Sequence, residues 1–225
     1  MTNRFTAKEL KDNYEQLLNY IKDDKVTDDK NQKEKLLKLY NDLGERMSVA
    51  PASGTKTFHG CYYGGYVQHV LNVLQYTELV YKTWKHVGST CQGYTLKELL
   101  FAALNHDLGK VGDLENDYYV VNPSKWHQDN QGKMFEWNKE INYMRVPDGS
   151  LWLLQQYNIK VDANQYIAIT AHDGVFDPAN NGYFTSFNVN KLPKTNMLYV
   201  LHQADLMAYR IELEKDIIWY EENNC

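Results

Sequence analysis

Apolar residues fall three or four positions apart along most of this chain, and that spacing commits it to helices. Leu10, Tyr14, Leu17, Leu18 and Ile21 form one stripe, and Leu36, Leu37, Leu39, Tyr40 and Leu43 form the next. Residues 7 to 47 therefore read as two polar-faced helices joined by the charged stretch DDKVTDDKNQKEK, a solvated turn and helix start. A loop rich in Gly, Ser and Pro, PASGTKTFHGCYYGG, then opens a helix from about Tyr66 to Lys85 that carries Val67, Val70, Leu71, Leu74 and Leu79. Another helix starts at Thr95, with Glu98 in the capping-box position, runs through LKELLFAALNHD and stops at Gly109. From Val111 to Pro147 the period is lost. Within this stretch KWHQDNQGKMFEW reads as a hairpin turning at Asp129 to Gly132, and the length suits an active-site cover. Helical patterning returns in SLWLLQQY, in DANQYIAITAHD and in the long NMLYVLHQADLMAYRIELEKDIIWYEE. The expectation is an all-α fold, a helical bundle with a long loop or small hairpin inserted, and no internal repeat.

A chain of 225 residues has room for one full-sized domain and an appendage. Residues 1–50 are expected to form an N-terminal helical extension packed on the core, and residues 51–225 the main domain. At this size folding hides roughly 70% of the unfolded surface, so a hydrophobic core suffices without disulfides or a structural metal. The composition is 43% apolar, and nothing approaches the 18 or so consecutive apolar residues of a membrane span. A net charge of -5 and an isoelectric point near 5.8 lack the basic stripe of a duplex-binding protein, which argues against broad nucleic-acid binding. The stretch MTNRFTAKELKDNYEQ has no apolar leader-like run, and Cys61, Cys91 and Cys225 show no paired spacing. A reducing, cytoplasmic setting is the expectation.

Three helices each bring a histidine or carboxylate to or near an end: His69, then His106 with Asp107, then Asp205. Imidazole nitrogen and carboxylate oxygen together suit a divalent transition metal, Mn, Fe, Co, Ni or Zn, better than Ca. His202 lies three residues before Asp205 but sits among Leu198, Tyr199 and Leu201, so it reads as a packed or supporting residue. Taken singly each histidine is more often structural than a ligand, and it is the combination that points to a metal.

The segment ALNHDLGK sets a His-Asp pair at a helix end ahead of a glycine and a lysine, downstream of GGYVQHVLNV and far upstream of LHQAD. This arrangement resembles the HD-domain metal-dependent phosphohydrolase superfamily, over roughly Tyr62 to Glu214. The resemblance implies an HD-domain helical bundle with His69, His106, Asp107 and Asp205 as the first metal shell and Asp107 able to bridge two metals. It sets Lys110 against the substrate phosphate, where a positive charge can neutralise charge growing on phosphate oxygens. Binuclear branches carry two further histidines, and His172, in ITAHDGVFD, matches the later one as a ligand or phosphate contact. The place of the earlier one reads VPDGSLWLL, a departure from the family pattern. Asp148 is an oxygen ligand there or a turn and cap residue. His127, twenty-one residues after His106, is the other candidate by spacing, and its hairpin-like surroundings favour a lid or bystander role. One metal site is implied, with a second left open and Mg as a further candidate.

The resulting expectation is hydrolysis of a phosphomonoester or phosphodiester bond in a small phosphorylated substrate, most naturally a nucleotide. Asp107, Lys110 and His172 take the catalytic roles, with no membrane involved. Three alternatives stand beside it. GGYVQHV and LHQADLMA also look like segments of HD-type 3'-5' exoribonucleases, which usually carry an added OB-type domain. An HD-type diiron oxygenase would need His127 or Asp148 as ligands. A non-catalytic ligand sensor would keep the fold alone. The small size and simplified middle motif also resemble HD proteins encoded by tailed bacteriophages, for which the setting is the host cytoplasm. Metal identity, substrate and oligomeric state are not legible. His59, His86 and Cys61 receive no role, while Tyr62, Tyr63 and Tyr183 are base-stacking candidates or helix-packing aromatics.

Overall fold

The computed structural model describes residues 4–223. Helix α1 (Ala7–Lys22) begins where Thr6 and Glu9 close a capping box, and α2 (Lys30–Asp42) begins where Asp29 accepts from the backbone N–H groups of Asn31 and Gln32. A single residue, Leu43, separates α2 from the short α3 (Gly44–Val49). The main body adds α4 (Gly65–His86), α5 (Leu96–Asn105), α6 (Lys125–Gln131), α7 (Val146–Gln156), α8 (Ala163–Ala171), α9 (Asn181–Phe184) and α10 (Met197–Glu222). The fold is all-α, with one two-stranded sheet of three residues per strand.

α4 and α10 form the principal packed pair, with α5 and α8 against them and α7 against the 3-10 turn Leu108–Val111 that follows α5. Val70 and Leu74 of α4, Leu99 and Phe101 of α5, Ile169 of α8 and Val200 and Leu201 of α10 are completely buried. Each such side chain contributes about 1.5–3 kcal/mol of transfer free energy. Leu17, Ile21, Leu36 and Leu39 of α1 and α2 join the same core cluster, so the first two stripes bury against the main body. Polar contacts fasten them further. The Tyr40 hydroxyl donates to the Leu104 carbonyl (3.0 Å), and Arg46 donates to the carbonyl of Asp113 (2.8 Å), just beyond the HDLGK turn.

Two glycines of the sequence motifs have a steric reason. A Cβ on Gly65 would lie 2.1 Å from the Gly60 carbonyl oxygen, so only glycine lets α4 start beneath the loop of residues 51–64. A Cβ on Gly109 would lie 2.2 Å from the Val146 carbonyl, so glycine there lets α7 close on the turn after His106 and Asp107.

Residues 111–147 depart from the hairpin expected at Asp129 to Gly132. Ser124 caps a helix through the His127 N–H and Gly132 ends it in the left-handed region (φ 64), which makes residues 125–131 helical as α6. The strands lie on either side of that helix: β1 (Tyr119–Val121) pairs antiparallel with β2 (Phe135–Trp137), Val120 opposite Glu136. Gly54 accepts from the Phe135 N–H (3.0 Å), which ties this insertion to the loop ahead of α4. Cys61 and Cys91 are free and buried, and Cys225 lies outside the described residues. Among the described residues no helix is long and apolar enough to cross a membrane.

Candidate metal centre

Three elements deliver the central side chains. His69 sits one turn into α4, His106 caps the C-terminus of α5 with Asp107 beside it, and Asp205 lies in the first half of α10. His106 donates through Nδ1 to the Ala103 carbonyl (2.7 Å), which turns Nε2 inward. There Nε2 of His69 lies 3.4 Å from Nε2 of His106, 3.2 Å from Asp205 Oδ1 and 3.5 Å from Asp107 Oδ2. His106 Nε2 is 3.6 Å from Asp107 Oδ2 and 3.7 Å from Asp205 Oδ1. Bonds of about 2.1 Å at tetrahedral to octahedral angles put donor atoms roughly 3.0–3.4 Å apart. The observed separations need only a small contraction, so this donor set could hold a metal ion.

A second doublet repeats the construction. His172 caps the C-terminus of α8 and donates through Nδ1 to the Ile169 carbonyl (2.7 Å), and Asp173 follows as Asp107 follows His106. His172 Nε2 lies 3.6 Å from Asp107 Oδ1 and 3.6 Å from Asp173 Oδ1. The two oxygens of Asp107 thus face different partners: Oδ2 meets His69, His106 and Lys110, while Oδ1 meets His172. Ligand atoms of His69, His106 and Asp205, of His106, Asp107 and His172, and of His172, Asp173 and Asp205 each converge closely enough to hold a metal ion.

Charge is concentrated here. Burial works against the ionised form of Asp107, but Lys110, whose Nζ is 2.6 Å away, and the imidazoles of His106 and His172 hold the carboxyl well below the usual range. Asp205 is likewise held down, against burial, by the hydrogen bond from His69 and the neighbouring histidines. Burial opposes charge on His69 as well, yet Glu212 and Asp205 outweigh it and raise the group to about 10. His172 is raised to about 10 by Asp173, Asp107 and Asp205 against the same burial. Burial wins at His106, which falls to about 4. Lys110 stays cationic, since Asp107 raises it despite its burial. The same carboxylates that draw protons onto His69 and His172 would draw a cation.

Two residues expected as second-site candidates lie elsewhere. Asp148 is in the first turn of α7, where Arg145 grips both carboxylate oxygens (2.8 and 3.0 Å), so it serves an ion pair and not the cluster. His127 lies on α6 with its ring against Trp126 (5.3 Å), and the helix that replaced the expected hairpin carries it outside the cluster. His202 donates through Nδ1 to the His172 carbonyl (2.7 Å) and packs against Phe184 and the bare Gly174. Sequence reasoning missed Asp173, whose signal was the repeated His-Asp pair, and Ser150, which accepts from the Gly109 N–H (2.8 Å) and donates to the His106 carbonyl (3.0 Å). It also missed Glu212 and left His59 without a role. Burial holds His59 well below its usual range, with His69 and Lys110 nearby adding to the effect.

The cluster forms the floor of a cavity of about 430 Å³. Lys110 and Tyr119 are on its wall, and the exposed rings of Phe58 and Phe176 are at its rim. No family model, curated protein or solved structure matches the chain.

Proposed function

We propose that this chain is a metal-dependent phosphohydrolase of the HD type acting on a small phosphorylated substrate, with a nucleotide as the best fit. The observation that carries the reading is the convergence of His69, His106 and Asp205, with Asp107 Oδ2 3.5 Å from His69 and 3.6 Å from His106 and the Lys110 ammonium 2.6 Å from that same oxygen. A divalent cation on those four side chains, of the Mn, Fe, Co, Ni or Zn kind or Mg, would supply Lewis acidity, polarising a phosphoryl oxygen and acidifying a water. His172, Asp173 and the outward oxygen of Asp107 offer a second donor set beside the first.

The chain's own groups divide the remaining work. Asp107 accepts a hydrogen bond from the attacking water and fixes its line of approach. Lys110 takes up part of the charge that develops on the phosphoryl oxygens, an interaction stronger in the transition state than in the ground state. His172 points Nε2 into the cavity and can donate to a non-bridging oxygen. Phe58, Phe176, Tyr119 and Tyr209 give the cavity aromatic surface suited to a planar base. Among the described residues Lys110 is the only lysine or arginine on the cavity lining, which suits a small phosphoester better than a polyanion. The diiron oxygenase alternative called on His127 or Asp148, and neither reaches the cluster.

The test is phosphate release by protein loaded in turn with each of these metals. The substrate panel holds nucleoside mono-, di- and triphosphates, cyclic nucleotides, dinucleotides and short RNA, with Asp107→Ala beside the wild type. The proposal expects turnover of at least one small substrate that vanishes in the variant. Turnover that persists in the variant, or none by any metal-loaded wild type, would overturn it.

A further inference from the structure

Behind His69 stands a carboxylate that the ligand set does not use. Glu212 is 6% exposed and lies seven residues, two helical turns, beyond Asp205 on α10. Asn72 stands one turn beyond His69 on α4. α4 and α10 are the principal packed pair, and Glu212 lies between them against both His69 and Asn72. Glu212 Oε2 accepts from His69 Nδ1 (2.9 Å), and Oε1 accepts from Asn72 Nδ2 (2.7 Å). Both oxygens are occupied. A carboxylate can only accept here, so Nδ1 of His69 keeps its proton, and Nε2, turned toward Asp205 and Asp107, is the atom that gives up its own to a cation. The His59 ring packs tilted on His69 at 4.4 Å between centroids, which fixes the imidazole from its other side. Burying a carboxylate costs several kcal/mol before its partners compensate, and a well-packed apolar residue is often no worse for stability. A charge kept at that expense behind a ligand histidine calls for a role in the ligand.

We propose that Glu212, oriented by Asn72, is a positioning residue of the metal centre. It locks the tautomer and ring plane of His69 and strengthens Nε2 as a donor, so its removal weakens metal binding more than it weakens the fold. A ligand histidine whose other nitrogen is bound to a carboxylate typically loses 10- to 100-fold in metal affinity when that partner is removed. The inference rests on His69 being a metal ligand, as proposed above, and is independent of the reaction.

The experiment compares wild type, Glu212→Gln, Glu212→Ala and Asn72→Ala. It measures Co affinity by competition with a chelator, the visible spectrum of the Co-loaded protein, and thermal unfolding of the metal-free protein. Gln keeps the hydrogen-bond acceptor without the charge, so Glu212→Gln should unfold near the wild-type temperature and bind Co about tenfold more weakly. Glu212→Ala should approach a hundredfold and shift the Co absorption bands, and Asn72→Ala should lose less than either. If Glu212→Ala does not fold, Glu212→Gln and Asn72→Ala decide the matter. Lower thermal stability with unchanged Co affinity and spectrum would overturn the inference, as would a wild-type protein that binds no metal. Weakened metal binding in a protein that hydrolyses nothing would sink the proposed reaction and leave this inference standing.

Discussion

Metal loading should expel protons, and their number identifies the histidines that act as ligands. In the metal-free protein the surrounding carboxylates overcome burial and raise both His69 and His172 to about 10, so each carries a proton at pH 7.5. His106, lowered to about 4 by its burial, is neutral there, and Asp107 and Asp205 are ionised. A cation that takes Nε2 of His69 must displace one proton, and engagement of His172 displaces another. Each displaced proton changes the apparent affinity about tenfold per pH unit, so two give about a hundredfold per unit between pH 6.5 and 8.5. Calorimetric titration with Mn at one pH, in two buffers of different ionisation enthalpy, counts the protons directly. About one is expected for a cation on His69, His106, Asp107 and Asp205, and a second marks a cation that also engages His172. A count near one would leave His172 outside the ligand set, and a count of zero with affinity independent of pH would refute the electrostatic account.

The same shifts govern the metal-free fold. Because the folded values of His69 and His172 lie above the unfolded value of about 6.5, their contribution is complete below that pH and is lost as pH rises toward 10. Thermal melts in chelator should therefore show falling stability across that window, and melts that rise would contradict the assignment. Lys110→Ala should lower kcat by about 10²- to 10³-fold while metal content, read by elemental analysis, stays at the wild-type level. Gly65→Ala puts a Cβ 2.1 Å from the Gly60 carbonyl, so backbone must move. That overpacking should cost about 1–3 kcal/mol and lower the melting temperature by several degrees, as calorimetry would show.

The helices were legible because their start signals are local: the Thr95 and Glu98 box forms as its spacing predicts, and most of the apolar stripes of residues 7 to 47 are buried, with Leu10, Tyr14 and Leu37 partly so. The insertion was not. Strands of three residues are too short to show alternation, and the Ser124 cap and Gly132 stop that define α6 were read as one turn. His69, His106, Asp107 and Asp205 stood out through the combination of GGYVQHV, ALNHDLGK and LHQAD, and the glycines of the first two segments, Gly65 and Gly109, sit at tight backbone approaches. Asp148 drew notice as an oxygen donor at the right place in the chain, and only the fold shows that Arg145 occupies it. Glu212 looked like any charged residue on a long helix. Its meaning depends on α4 burying it against His69, which is long-range packing that no spacing within α10 reveals.

Anomalous diffraction from crystals loaded with Mn addresses the centre itself. The account predicts a peak bonded to Nε2 of His69 and His106 and to oxygens of Asp107 and Asp205. Well-occupied peaks elsewhere with none on these atoms, or no peak at saturating Mn, would contradict it.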